Sequence, residues 1–143
     1  METSGLPLSL SIYTPTRCLL MAHCESVSMP TTMGEIEVLP GHVSLVTLLG
    51  TGIVHYDHEN STGFISVSGG FTEVKNNTVT LFVDMAELSD EVDVSRAEKS
   101  LARALERLVN VKKDDVLDYN RALASEARAR TRLELTRHKI SKS

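Results

Sequence analysis

Apolar and polar residues alternate with period two over residues 6–13, Leu-Pro-Leu-Ser-Leu-Ser-Ile-Tyr. This is the pattern of a half-buried strand, with Pro7 at its start, where no ladder donor is needed. A short apolar run follows at 18–22, and alternation returns at 25–29 and 35–39 before Pro40-Gly41 turns the chain. Residues 43–49 are apolar enough to predict a strand covered on both faces. Gly50-Thr51-Gly52 punctuates, and residues 53–57 resume a strand pattern. Residues 59–63, Glu-Asn-Ser-Thr-Gly, predict a hairpin loop. Residues 64–68 predict a strand ended by Gly69-Gly70. Residues 71–75, an Asn76-Asn77 turn and residues 78–83 predict a closing hairpin. Many short strands with regular turn signals predict a β-sandwich or flattened barrel.

The period then changes. Val94, Ala97, Leu101, Ala104, Leu105 and Leu108 recur at three- and four-residue steps, the stripe of an amphipathic helix. Asp90 or Asp93 can cap it. Residues 110–115 form a polar connector in which Asp114 or Asp115 can cap a second helix. Val116, Leu123, Ala127 and Leu133 mark that helix, with Ala122, Ala124 and Ala129 nearby. The alanines permit close approach, and the connector length suits an antiparallel pair. The expected architecture is a β-sandwich over 1–86 followed by a two-helix hairpin over 87–143.

Charge sharpens the division. Residues 1–91 hold two basic residues, Arg17 and Lys75, against eleven acids; residues 92–143 hold thirteen basic residues against eight acids, with neither Gly nor Pro. The first part is net −9 and the second +5. An acidic body that docks and a basic tail that finds an acidic surface is the expected division of labour. Cys18 and Cys24 lack the spacing of a zinc or redox motif, which suggests a reduced, cytosolic chain. No 18-residue apolar stretch predicts a membrane span, and residues 1–7 lack signal- or transit-peptide character. There is no Gly-x4-Gly-Lys-Ser/Thr loop and no motif marking a nucleophile, so an enzyme is not expected. In His55-Tyr56-Asp57-His58 the two histidines would point to opposite faces of a strand, a poor start for a metal site.

Four segments in order resemble the epsilon subunit family of bacterial F-type ATP synthases. They are Gly34-Glu35-Ile36-Glu37-Val38-Leu39-Pro40-Gly41-His42; Ser68-Gly69-Gly70-Phe71-Thr72-Glu73-Val74; Ala86-Glu87 with Val92-Asp93-Val94-Ser95-Arg96-Ala97; and Asp118-Tyr119 with Arg132-Leu133-Glu134-Leu135-Thr136. The resemblance implies a non-catalytic rotor subunit of the central stalk, peripheral on the cytoplasmic face of the bacterial inner membrane. Its sandwich would meet the gamma subunit and the c-subunit ring, and membrane association would come only through the complex. Its hairpin would fold down or extend into the catalytic head, where it inhibits ATP hydrolysis.

The resemblance also implies site residues. Glu35 would meet the polar loops of the c ring, and His42 would orient its turn or touch gamma. Val92, Asp93, Arg96 and Ala97 match a nucleotide-binding motif, Ile/Leu-Asp-x-x-Arg-Ala, with Val in the first position. Arg96 and Arg103 share one helix face, as do Arg128 and Arg132 on the second helix. Together they would offer guanidiniums to the triphosphate of a regulatory ATP, no other cofactor being required. Glu87 and Asp93 would accept from adenine or ribose, or hold an Arg in place. Arg128, Arg130, Arg132, Arg137, His138, Lys139 and Lys142 would meet the catalytic beta subunit. The rival reading is a β-sandwich adaptor whose basic tail binds nucleic acid. The acidic body and the single tail aromatic, Tyr119, argue against it.

Overall fold

The computed structural model describes residues 7–42, 44–112 and 115–142, with side chains to His138. The chain divides into two compact units, Met1–Ala86 and Glu87–Ser143. Val43 and Asp114, both named above, lie outside the described residues, as do the side chains of Lys139 and Lys142.

The first unit holds β1 (Leu8–Tyr13), β2 (Cys18–Cys24), β3 (Ser26–Thr31), β4 (Gly34–Val38), β5 (Leu45–Leu48), β6 (Thr51–His58), β7 (Ser61–Lys75) and β8 (Thr78–Leu88), the last two residues of which, Glu87 and Leu88, belong to the second unit. The bonded order is β2-β1-β8-β7-β6-β3-β4, with β5 on β7. Alternation builds the core: in β1, Leu8, Leu10 and Ile12 are fully buried, against Val27, Met29, Val54, Ile65, Val79 and Leu81 from other strands. β1 is antiparallel to β2 and parallel to β8.

Three details depart from the sequence expectations. Gly69-Gly70 does not end a strand. β7 runs through it, pairing with β6 over 61–68 and with β5 over 71–74. Both glycines have positive φ, 79° and 105°, so the strand kinks and changes partner without stopping. The β6–β7 connection is the two residues Glu59-Asn60, not five, since Ser61–Gly63 already pair with β6. β5 is not covered on both faces. It bonds to β7 alone among the strands, and Val46 and Leu48 are 67% and 62% exposed. The Asn76-Asn77 turn is as expected, with φ of 51° and 60° at its two residues.

The second unit holds a 3₁₀ turn (Ser89–Glu91), α1 (Val94–Asn110) and α2 (Val116–Lys142). Asp93 caps α1 by accepting the Arg96 N–H at 3.1 Å, and Asp115 accepts the Asp118 N–H at 3.1 Å at the start of α2. Residues that precede α1 meet the second half of α2, so the helices run antiparallel. The buried seam is Ala97 and Ala104 on α1 with Ala122, Ala129 and Leu135 on α2. The expected stripe was therefore displaced on α2: Val116 and Leu123 are exposed, and the seam steps by seven through small alanines. Close backbone approach, not side-chain bulk, selects that face.

Candidate functional site

A cavity of about 330 Å³ opens within the helical unit, within the size range of small-molecule pockets. Glu87, Glu91, Asp93, Arg96, Ala97, Ser100, Arg103 and Arg132 line it. Arg96, Ser100 and Arg103 stand three and four residues apart on one face of α1, and Arg132 comes from α2. The lining thus brings three carboxylates against three guanidiniums.

The acids are already at work. Asp93 caps α1. The Leu88 N–H donates to Glu91 Oε1 at 2.9 Å. Arg132 Nε donates to Glu87 Oε1 at 2.5 Å, an ion pair with both side chains about a third exposed. Arg103 Nη2 donates to Ser100 Oγ at 3.2 Å. Such an enclosure suits an anion with polar groups at one end: guanidiniums fork onto phosphate oxygens, and carboxylates accept from amine or hydroxyl groups.

Six of the eight residues named for nucleotide meet here: Glu87, Asp93, Arg96, Ala97, Arg103 and Arg132. Val92 and Arg128 are outside the lining. Arg128 turns its Nη2 onto Ser125 Oγ of its own helix, at 3.4 Å. Glu91 and Ser100 escaped the sequence reading. The step of four from Arg96 to Ser100 was the available signal for the latter. The basic end is less open than its charge suggests, because Arg130 pairs with Glu126 at 2.8 Å and His138 with Glu134 at 3.5 Å.

The structure does not bring Glu35 and His42 together. Glu35 stands on β4 just after the β3–β4 turn, while His42 follows β4 at its other end. Glu35 is exposed and its Oε2 lies 3.3 Å from His55 Nε2. Met33, at the tip of the same turn, is 90% exposed. Met33 was not named from sequence, and His55 was named only as one half of a poor metal motif. Around His42 the His42 N–H donates to Leu39 O at 3.1 Å, and the Gly41 N–H donates to Asn77 Oδ1 at 2.8 Å, which ties two turns together. His55 and His58 take opposite faces of β6: His55 packs on Phe64 and His58 stacks on Tyr56. Asp57 between them accepts from Thr62 Oγ1 at 2.6 Å and Ser26 Oγ at 3.1 Å, so its work is to tie three strands.

Comparison with known proteins decides the family. Residues 7–89 match the model of the ATP synthase delta/epsilon chain β-sandwich domain, and residues 90–136 match that of its long α-helix domain. The chain belongs to the ATP synthase delta/epsilon family. The ATP synthase epsilon chain of Synechococcus elongatus is 36% identical over 129 residues, covering 90% of this chain and 94% of that one. That of Carboxydothermus hydrogenoformans is 44% identical over 101 residues, covering 71% and 75%. Among solved structures, one chain of the Euglena gracilis mitochondrial ATP synthase OSCP/F1/c-ring assembly has a TM-score of 0.76 at 22% identity, covering 95% of this chain and 86% of that one. One of the Tetrahymena thermophila central stalk and c-ring assembly has 0.60 at 15%, covering 94% and 99%. At such identities these likenesses speak for the fold. As an epsilon-family chain, the protein is a non-catalytic subunit of an ATP synthase. Among its described residues no helix is long and apolar enough to cross a membrane.

Proposed function

We propose that this epsilon-family chain is a rotor element of the central stalk, held at the cytoplasmic face of a bacterial membrane by its complex. Its sandwich docks on the gamma subunit through the His42 turn and on the c ring through Glu35. Its helical unit senses ATP and restrains hydrolysis by engaging the catalytic beta subunit. The observation that carries the sensing part is the cavity in which Arg96, Arg103 and Arg132 converge with Asp93 and Glu87. With no phosphate-activating loop in the sequence, ATP held there is bound and not hydrolysed. The nucleic-acid alternative draws little support, since Arg130, Arg132 and His138 already face acids of the same unit.

Calorimetry of the full chain with ATP tests the site. Wild type should release binding heat, and Arg96→Ala and Arg132→Ala should each weaken binding roughly tenfold or more, as loss of a charge-assisted contact does. Arg128→Ala, outside the lining, should bind as wild type does. Equal heats from all four proteins, or none at millimolar ATP, would defeat this reading.

A further inference from the structure

Arg132 is the one cavity guanidinium supplied by α2, and its Nε already holds Glu87. Among the described residues, two of the links that join the segment before α1 to the second half of α2 stand out. One is this ion pair. The other is the hydrogen bond from Ser89 Oγ to Leu135 O at 3.5 Å. The second link is neutral, and neither residue lines the cavity. The first places a carboxylate where an incoming phosphate would seek the same guanidinium. Two anions at one guanidinium repel each other, and the Nε–H given to Glu87 is lost to the other.

We propose that Glu87 is the resident counter-anion of Arg132, and that a phosphate-bearing ligand must displace its carboxylate to fill the site. This rests on the reading of the cavity as a nucleotide site. Glu87 then raises the ligand concentration at which the site fills, and a link within the chain is exchanged for one through the ligand. The pair is about a third exposed, so water can take up the released carboxylate. The competing role for Glu87 is acceptor from an adenine amine, and the two roles predict opposite effects of removing its charge.

The test is calorimetry of the full chain with ATP and, separately, inorganic tripolyphosphate, on wild type, Glu87→Gln and Glu87→Ala, with circular dichroism to verify helix content. Both variants should bind both ligands tighter, by roughly 1.5- to fivefold, the range expected for one exposed charge. In an Arg132→Ala background, Glu87→Gln should change affinity less than it does in the wild-type background, because that competition has lost its target. If wild type binds ATP and both variants bind it equally or more weakly, the proposal is overturned while the nucleotide site stands. Weaker ATP binding with unchanged tripolyphosphate binding would assign Glu87 to the base. If no protein of the set binds either ligand, the nucleotide reading itself fails, and this inference with it.

Discussion

At the scale of single residues, Asp57 shows how chemistry that resembles a site can be scaffolding. It is flanked by histidines, yet its oxygens accept from Thr62 on β7 and Ser26 on β3. The Thr62 hydrogen bond is the main cause holding its carboxyl below the usual range; burial works against it, and Ser26, His55 and His58 add to the lowering. A folded pKa below the unfolded value means stability that is fully present above about pH 3.9 and is lost as pH falls through the folded pKa. Asp57→Asn should therefore lower the melting temperature at pH 7 and lower it progressively less as pH falls into the acid range. Melting curves across that range check it, and equal losses at both ends would argue against the assignment. Cys24 fits the same account. Burial first, then the charges of Asp57 and Glu25, pushes its thiol up to about 11, so it is held as an unreactive core group while Cys18 is exposed.

At the scale of elements, β7 is the strand on which the sandwich turns. A Cβ at Gly70 would strike the Phe82 carbonyl oxygen and lie 2.8 Å from Val83 Cα, with φ already at 105°. Gly70→Ala should cost about 2–4 kcal/mol, combining backbone strain with collision. Gly41→Ala, at φ 83° with open space around it, should cost only about 1 kcal/mol. Urea unfolding midpoints of the two variants give the comparison, and equal losses would show that collision adds nothing. The same element marks how far the sequence could be read. Period-two alternation located most strands, because burying one face of a sheet leaves that imprint. Gly69-Gly70 was misread as a stop because a glycine pair signals both an end and a kink, and only the partner on the far side distinguishes them. The helices were legible from their stripe, but the α2 seam was not. An alanine ranks low in apolar bulk, and its value lies in what it lets approach. In the cavity, the family motif pointed to Arg96 and a shared helix face to Arg103, whereas the Glu87–Arg132 pair joins residues 45 apart and follows from the hairpin's closure alone.

At the scale of the whole molecule, two units of opposite charge share one chain, net −6 over residues 1–86 and +2 over residues 87–143. If the second restrains hydrolysis, removing residues 87–143 should raise the ATPase rate of the assembled enzyme several-fold while assembly persists. An unchanged rate would show that the helices are no brake. The alanine seam suits such a part. Its four buried methyls supply only about 3 kcal/mol and Leu135 about 1.5–3 more, so parting the helices gives up roughly 5 kcal/mol of burial. The pairing of β1 with β8 carries a different consequence, one for the chain as it is made. Ser9 lies opposite Thr78, a separation of 69 positions. On the ribosome β1 can form its hairpin with β2 early, but its other edge stays open until β8 has emerged, roughly 3–14 s later at ordinary elongation rates of about 5–20 residues per second. Through that interval an apolar strand edge is available to the wrong partner, and nascent copies spaced along one message are the nearest candidates.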